Sequence, residues 1–188
     1  MDEDIFDRVG CHVTNETFAN AILVSGFKPS DGRKGKGVYF WIAQKVNCPI
    51  ATELCDDWFE YKQENGRYQS NRDNEKVILW RKLVSKNSEV LYLDNIDYQF
   101  RINALIDKVA RRINNLPKKQ RDVLVSGMHD VFYNKYNEEH SCKIKLVVAQ
   151  VPRPNAANAT LADRYKMNPY ACIVKDNQCI QVMEGISR

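Results

Sequence analysis

The chain is 188 residues long, with 44% hydrophobic and 28% charged residues and a formal net charge of +4. These are the proportions of one globular domain with an ordinary core, and the mildly basic balance permits an anionic partner without requiring one. No apolar run reaches the length of a membrane span, and the acidic N-terminus lacks the basic and apolar regions of a signal peptide. A cytoplasmic protein with no membrane partner is therefore expected. Six cysteines, Cys11, Cys48, Cys55, Cys142, Cys172 and Cys179, form no Cys-x-x-Cys pair and have no His-x-x-x-His partner. Buried free thiols are expected, and no metal.

In chain order, residues 1–8 are an acidic lead-in with Ile5 and Phe6 packing on the body. A short strand is expected to end at His12, followed by a helix over 15–25. Thr14 or Asn15 can cap that helix, Glu16 suits the positive end of its dipole, and Phe18, Ile22 and Leu23 form an apolar stripe. Gly26 is placed to end it in a left-handed conformation. A loop with Gly32, Gly35 and Gly37 leads into a strand, Val38-Tyr39-Phe40-Trp41. Glycines allow close backbone approach, so strand end, loop and aromatic strand would together make a slot for a flat polar ring.

A helix over 49–62 starts with Pro49 and carries Ile50, Leu54, Trp58 and Tyr61 at helical spacing. Residues 64–75 read as an exposed loop. Segments 76–84 and 89–93 read as strands that a hairpin around Lys86-Asn87-Ser88 would join. A helix over 96–115 buries Ile102, Leu105, Ile106, Val109 and Ile113, and a second helix runs over 119–136. Residues 143–150 read as a strand, 155–166 as a loop or lid, and 170–175 with 179–183 as a terminal strand pair around Asp176-Asn177. Strands at both ends with helices between them indicate an α+β domain spanning 1–188.

Three pieces of residues 11–41 stand in a specific order and spacing: His12-Val13-Thr14, then Ile22-Leu23-Val24-Ser25-Gly26-Phe27, then Gly35-Lys36-Gly37-Val38-Tyr39-Phe40. This resembles the ADP-ribosyltransferase superfamily, in its branch with a His-Tyr-acid signature that includes the poly(ADP-ribose) polymerases and bacterial and phage toxin-like members. The resemblance implies a split antiparallel β-sandwich with flanking helices, here with a helical insertion, gripping NAD in the cleft between its sheets. It implies cleavage of the bond between nicotinamide and ribose, with an acceptor attacking the ribose C1′. His12 would bond a ribose hydroxyl, the Val13 backbone the nicotinamide amide, Thr14 the ribose, and Tyr39 would stack on the nicotinamide ring. Gly26, Arg33, Gly37 and Asn47 would complete the NAD-binding set, and Ala51 and Trp58 match residues of the helix after the Tyr motif. Taken singly, a histidine or a strand tyrosine is more often a packing residue; the joint spacing is what marks His12 and Tyr39.

The third motif departs from the family. Ala171, in Tyr170-Ala171-Cys172-Ile173-Val174-Lys175-Asp176, falls where the family places its acid. A methyl group cannot stabilise an oxocarbenium, and loss of one such electrostatic element costs about 2.7–4 kcal/mol in other enzymes. Three accounts follow: an enzyme disarmed by substitution, a catalytically silent NAD- or ADP-ribose-binding module, or service by another acid, Glu184 or Asp176. Two groups of basic residues bear on the acceptor. Arg33, Lys34 and Lys36 flank the slot and would meet the NAD pyrophosphate or a nucleic acid. Lys108, Arg111, Arg112, Lys118, Lys119 and Arg121 form either a solvated helix face or a phosphate-tracking surface for RNA or DNA, with Tyr165 and Tyr170 available to stack on a base. The expected function is a mono-ADP-ribosyltransferase of toxin or defence type, acting on nucleic acid in preference to protein. By analogy it would be restrained by an inhibitor or antitoxin, and an NAD glycohydrolase is the further alternative.

Overall fold

The computed structural model describes residues 4–68, 75–154 and 168–183. The spine is β1 (Ile5–Asn15), which pairs antiparallel with β3 (Lys76–Lys86) from end to end, Ile5 opposite Lys86 and Asn15 opposite Lys76. Both strands alternate residues between two buried faces, the periodicity that a strand covered on each side requires. Around them lie β2 (Val38–Ala43), β4 (Val90–Tyr92), β5 (Leu146–Gln150), β6 (Tyr170–Val174) and β7 (Ile180–Gln181), in the order β4-β5-β6-β2-β1-β3-β7. The helices are α1 (Glu16–Ser25), α2 (Pro49–Glu64), α3 (Ile96–Asp107), α4 (Ala110–Asn114) and α5 (Lys118–His140). The α+β class holds, with a mixed sheet: β4 and β5 run parallel and the other pairs antiparallel.

One face of the sheet buries Phe6, Phe40, Leu83, Leu146, Val174 and Cys179 together. Leu83 of β3 and Leu146 of β5 are far apart in strand order, so the sheet curls around this core. The other face carries two clusters. One sets Cys11, Val13 and Trp80 against Ala51, Cys55 and Phe59 of α2. The second sets Val147 and Ile173 against Ile102 of α3 and Phe132 and Tyr133 of α5.

Several sequence expectations are corrected. The expected pair of separate sheets is one continuous curled sheet, because β1 and β2 remain joined by Val9–Cys11 against Trp41–Ala43. Segments 76–84 and 89–93 are not a hairpin. A 3₁₀ turn at Asn87–Glu89 redirects the chain, the Asn87 N–H bonds the Asp4 carbonyl at 2.9 Å, and β4 pairs with β5 instead. The terminal segments do not pair with each other: β6 lies between β5 and β2 while β7 lies on β3, with Asp176 capping the turn between them through the Gln178 N–H at 3.0 Å. The helix expected over 96–115 breaks at Val109, whose φ of −114° and ψ of 7° leave the helical region. β1 continues to Asn15, whose side chain caps α1 through the Phe18 N–H at 3.0 Å. α1 buries only Ala19, with Phe18 and Leu23 exposed, so its apolar stripe is not a core face. α2 turns Ala51, Leu54, Cys55 and Phe59 inward and leaves Ile50 exposed. The region expected as a loop or lid at 155–166, with Tyr165, lies outside the described residues, as does Glu184.

Candidate functional site

The residues of the sequence motif meet where β1 and β2 part. β1 runs on to Asn15 against β3, and β2 starts at Val38 against β6, yet the two pair with each other only from Cys11 and Trp41 outward to Val9 and Ala43. Past that point His12 bridges the opening. Its Nδ1–H donates to the Tyr39 carbonyl at 2.9 Å, which leaves Nε2 as the acceptor of a neutral ring. The ring packs edge-on against Phe27 at 5.3 Å and beside Phe40 at 5.6 Å. Burial, the largest effect, lowers the His12 pKa; the Tyr39 carbonyl opposes this, and the positive charges of Arg67 and Arg81 add to the lowering.

Arg81 was not singled out by the sequence reading. It lies opposite Gly10 on the His12 face, is 8% exposed, and donates to the Trp80 carbonyl at 2.7 Å. Its guanidinium stands 6.0 Å from the Phe27 ring centroid. No carboxylate pairs with it among the described residues. A nearly buried cation without a counter-ion is costly, and it gives this side of the opening a positive field. The signal was in the sequence: two charges, Arg81 and Lys82, inside the otherwise apolar run Val77-Ile78-Leu79-Trp80-Arg81-Lys82-Leu83-Val84, of which Lys82 pairs with Asp7 and Arg81 turns inward.

The expected slot between two side chains is corrected. His12 shares a face with Phe40, and Tyr39, one residue along, turns its ring to the opposite face, beside Ile173 and Tyr133. There the Tyr39 hydroxyl donates to the Gly35 carbonyl at 2.6 Å and accepts the Lys34 N–H at 3.1 Å. A Cβ at Gly32 would collide with the Tyr39 ring, and one at Gly37 with Ile173. The glycines thus let the loop close on its own protein. Gly35, at φ 94°, sits where Asp130 and Tyr133 leave no room for a side chain. Asp130 accepts the Lys36 N–H at 3.0 Å and the Lys175 ammonium at 2.6 Å, and the Tyr133 hydroxyl donates to the Lys34 carbonyl at 2.7 Å.

The remaining motif residues are scattered around this frame. Val13 is buried against α2, and Thr14 is buried beside the Tyr68 hydroxyl, whose hydrogen bond partly offsets the upward push of burial on that phenol. Gly26 ends α1 with φ 77° and ψ 174°, positive but outside the left-handed helical region, its N–H on the Ile22 carbonyl at 2.8 Å. Asn47, at φ 56°, lies in the turn between β2 and α2, beyond the Val9–Ala43 end of the pairing. Ala171 is 3% exposed and stands between Ala149 and Trp41 in register, on the Tyr39 face. Arg33 and Lys36 are exposed in the loop, and Lys34 is half-buried. Arg111 and Arg112 are exposed on α4, and Lys118 and Lys119 are exposed at the start of α5, where the Lys118 ammonium donates to the Tyr61 hydroxyl of α2 at 2.8 Å. The six cysteines are free, with Cys11, Cys55, Cys172 and Cys179 buried. Among the described residues no group of His, Cys, Asp and Glu is placed to hold a metal ion, and no helix is long and apolar enough to cross a membrane.

No family model matches the chain, and no curated protein or solved structure is detectably similar to it.

Proposed function

We propose that the protein is an NAD-dependent mono-ADP-ribosyltransferase of toxin or defence type, and that NAD binds along the opening between β1 and β2. The observation that carries this reading is the placement of His12 and Arg81 on one face beside that opening, with no carboxylate paired to Arg81 among the described residues. The imidazole is held by the Tyr39 carbonyl with Nε2 left to accept a ribose hydroxyl. The guanidinium supplies the charge that a pyrophosphate needs, and Arg is suited to phosphate through its planar fork of donors. Tyr39 then acts by shaping the glycine loop and presenting its carbonyl, and not by stacking its ring on nicotinamide.

The test is calorimetric titration with NAD together with measurement of nicotinamide release. NAD is expected to bind, Arg81→Gln to weaken binding about tenfold or more, the value of one hydrogen bond to a charged group, and His12→Ala to weaken it about fivefold, the value of a neutral one. Absence of NAD binding at millimolar concentration ends the reading. Labelled NAD offered with protein, RNA and DNA pools identifies the acceptor; label in protein alone removes the preference for nucleic acid.

A second reading is favoured by one observation, the burial of Ala171, 3% exposed and in register between Trp41 and Ala149, where the family has its acid. It makes the protein an NAD- or ADP-ribose-binding module without transferase activity. Ala171→Glu separates the two: gain of transfer or NAD hydrolysis supports the enzyme. A folded variant that binds NAD and turns over none of it supports the module.

A further inference from the structure

β4 and β5 are the parallel pair of the sheet, so the chain leaves both strands on the same side, with Asp94 just past one and Gln150 ending the other. Beside these strand ends, α3, α5 and the glycine loop enclose a cavity of about 230 Å³. Its floor is the buried Leu93, Ile102, Ala149 and His129. The His129 Nδ1–H is spent on the Val125 carbonyl at 3.0 Å, which leaves Nε2 as an acceptor.

Two opposite charges line this cavity. Asp94 is near enough to favour the Lys34 ammonium, while burial works harder against that charge. No ion pair joins the two, however, and among the described residues the Asp94 carboxylate takes only a long bond from the Gln150 N–H, 3.4 Å. Lys34 is half-buried and Asp94 exposed, so each can give up water to bond a ring seated on the largely apolar floor. What fits between them is a flat ring with an acceptor edge beside a donor edge.

We propose that this cavity is a binding site for a guanine base. Guanine offers O6 and N7 as acceptors to Lys34, the usual basic contact to this base, and N1–H and N2–H₂ as donors to Asp94. Adenine reverses the pattern: it sets its N6 donor toward the ammonium and its N1 lone pair toward the carboxylate. The volume is below the range of sites for drug-sized ligands and suits one heterocycle, with ribose and phosphate left in solvent. The proposal is independent of the transferase reading, because His12, Tyr39 and Arg81 do not line the cavity.

The experiment is titration, followed by amide chemical shifts, with guanosine, adenosine and a single-stranded oligothymidine carrying one central guanine. Guanosine is expected to saturate the site about tenfold or more tightly than adenosine, and Asp94→Asn and Lys34→Met each to weaken it about tenfold. Tighter binding of the oligonucleotide than of guanosine assigns the base to a nucleic acid, and equal binding assigns it to a free nucleoside. Equal affinity for adenosine, no effect of either variant, or no saturation by millimolar guanosine overturns the proposal. NAD binding measured on the same samples keeps its failure distinct from failure of the transferase reading.

Discussion

Tyr39 shows how one side chain organises a loop. Its hydroxyl answers a backbone donor and a backbone acceptor of the glycine loop at once, at Lys34 and Gly35. Burial raises its pKa far above the ordinary phenol range, so it stays protonated and able to donate. Tyr39→Phe keeps the ring but strands both backbone groups, so a loss of about 1–3 kcal/mol in urea unfolding is expected. Half-buried His12 and buried His129 set a pH dependence. Burial is the largest influence on both His12 and His129 and lowers both pKa values below the ordinary 6.5. Below pH 6.5 the unfolded chain therefore takes up protons that the native state refuses. Stability falls as the pH drops, and the loss ends at the depressed native values. Each group contributes a slope of up to about 1.4 kcal/mol per pH unit. The thermal midpoint is expected to fall between pH 7 and 5, and to fall less in His12→Asn; a flat profile would contradict the assignment.

Among the elements, α5 is the one that fixes the glycine loop to the sheet. Asp130 accepts from the Lys36 backbone and from Lys175, which follows β6, while Tyr133 and Ser126 of the same helix face reach the Lys34 carbonyl and Asp31. Asp130→Ala would leave the Lys175 ammonium, 18% exposed, with the Lys36 carbonyl but no counter-ion. For a half-buried pair the expected cost is about 1–2 kcal/mol, and the Gly35 and Lys36 amides should exchange faster. None of this was legible in the sequence, because the partners are brought together by tertiary structure across 45 to 99 residues of chain. The helix start at Pro49, the Asn15 cap and the strand bearing Tyr39 were legible because each is written in local residue types. β4 was mispaired for the opposite reason. A three-residue strand carries no register information of its own, and its partner follows a helical excursion that hairpin reasoning cannot anticipate.

At the scale of the whole molecule, the apolar periods of β1, β3 and β6 gave the α+β class, while sheet continuity was hidden. It depends on a three-residue register between β1 and β2, and nothing in either strand announces where that pairing stops. The site was partly legible for the same reason. His12 and Tyr39 could be marked by spacing, but the face each one occupies follows from a register visible only once the strands are aligned. Arg81 stood in plain view as a charge in an apolar strand, and its meaning came from the absence of a paired acid among the described residues.

The thin union of β1 with β2 has a mechanical consequence. The strands on either side of it are stitched a second time, because residues 175–179 carry the chain from β6 to β7 at the far rim of β3. The sheet is therefore a clasped bracelet, fastened at two places, and neither half can peel away while the other stays shut. Urea melting followed by tryptophan fluorescence, with Trp41 and Trp80 on opposite sides of the join and Trp58 on α2, should superimpose on far-ultraviolet dichroism in one transition. Cutting the backbone at Asn177 should open the clasp and split that single curve in two.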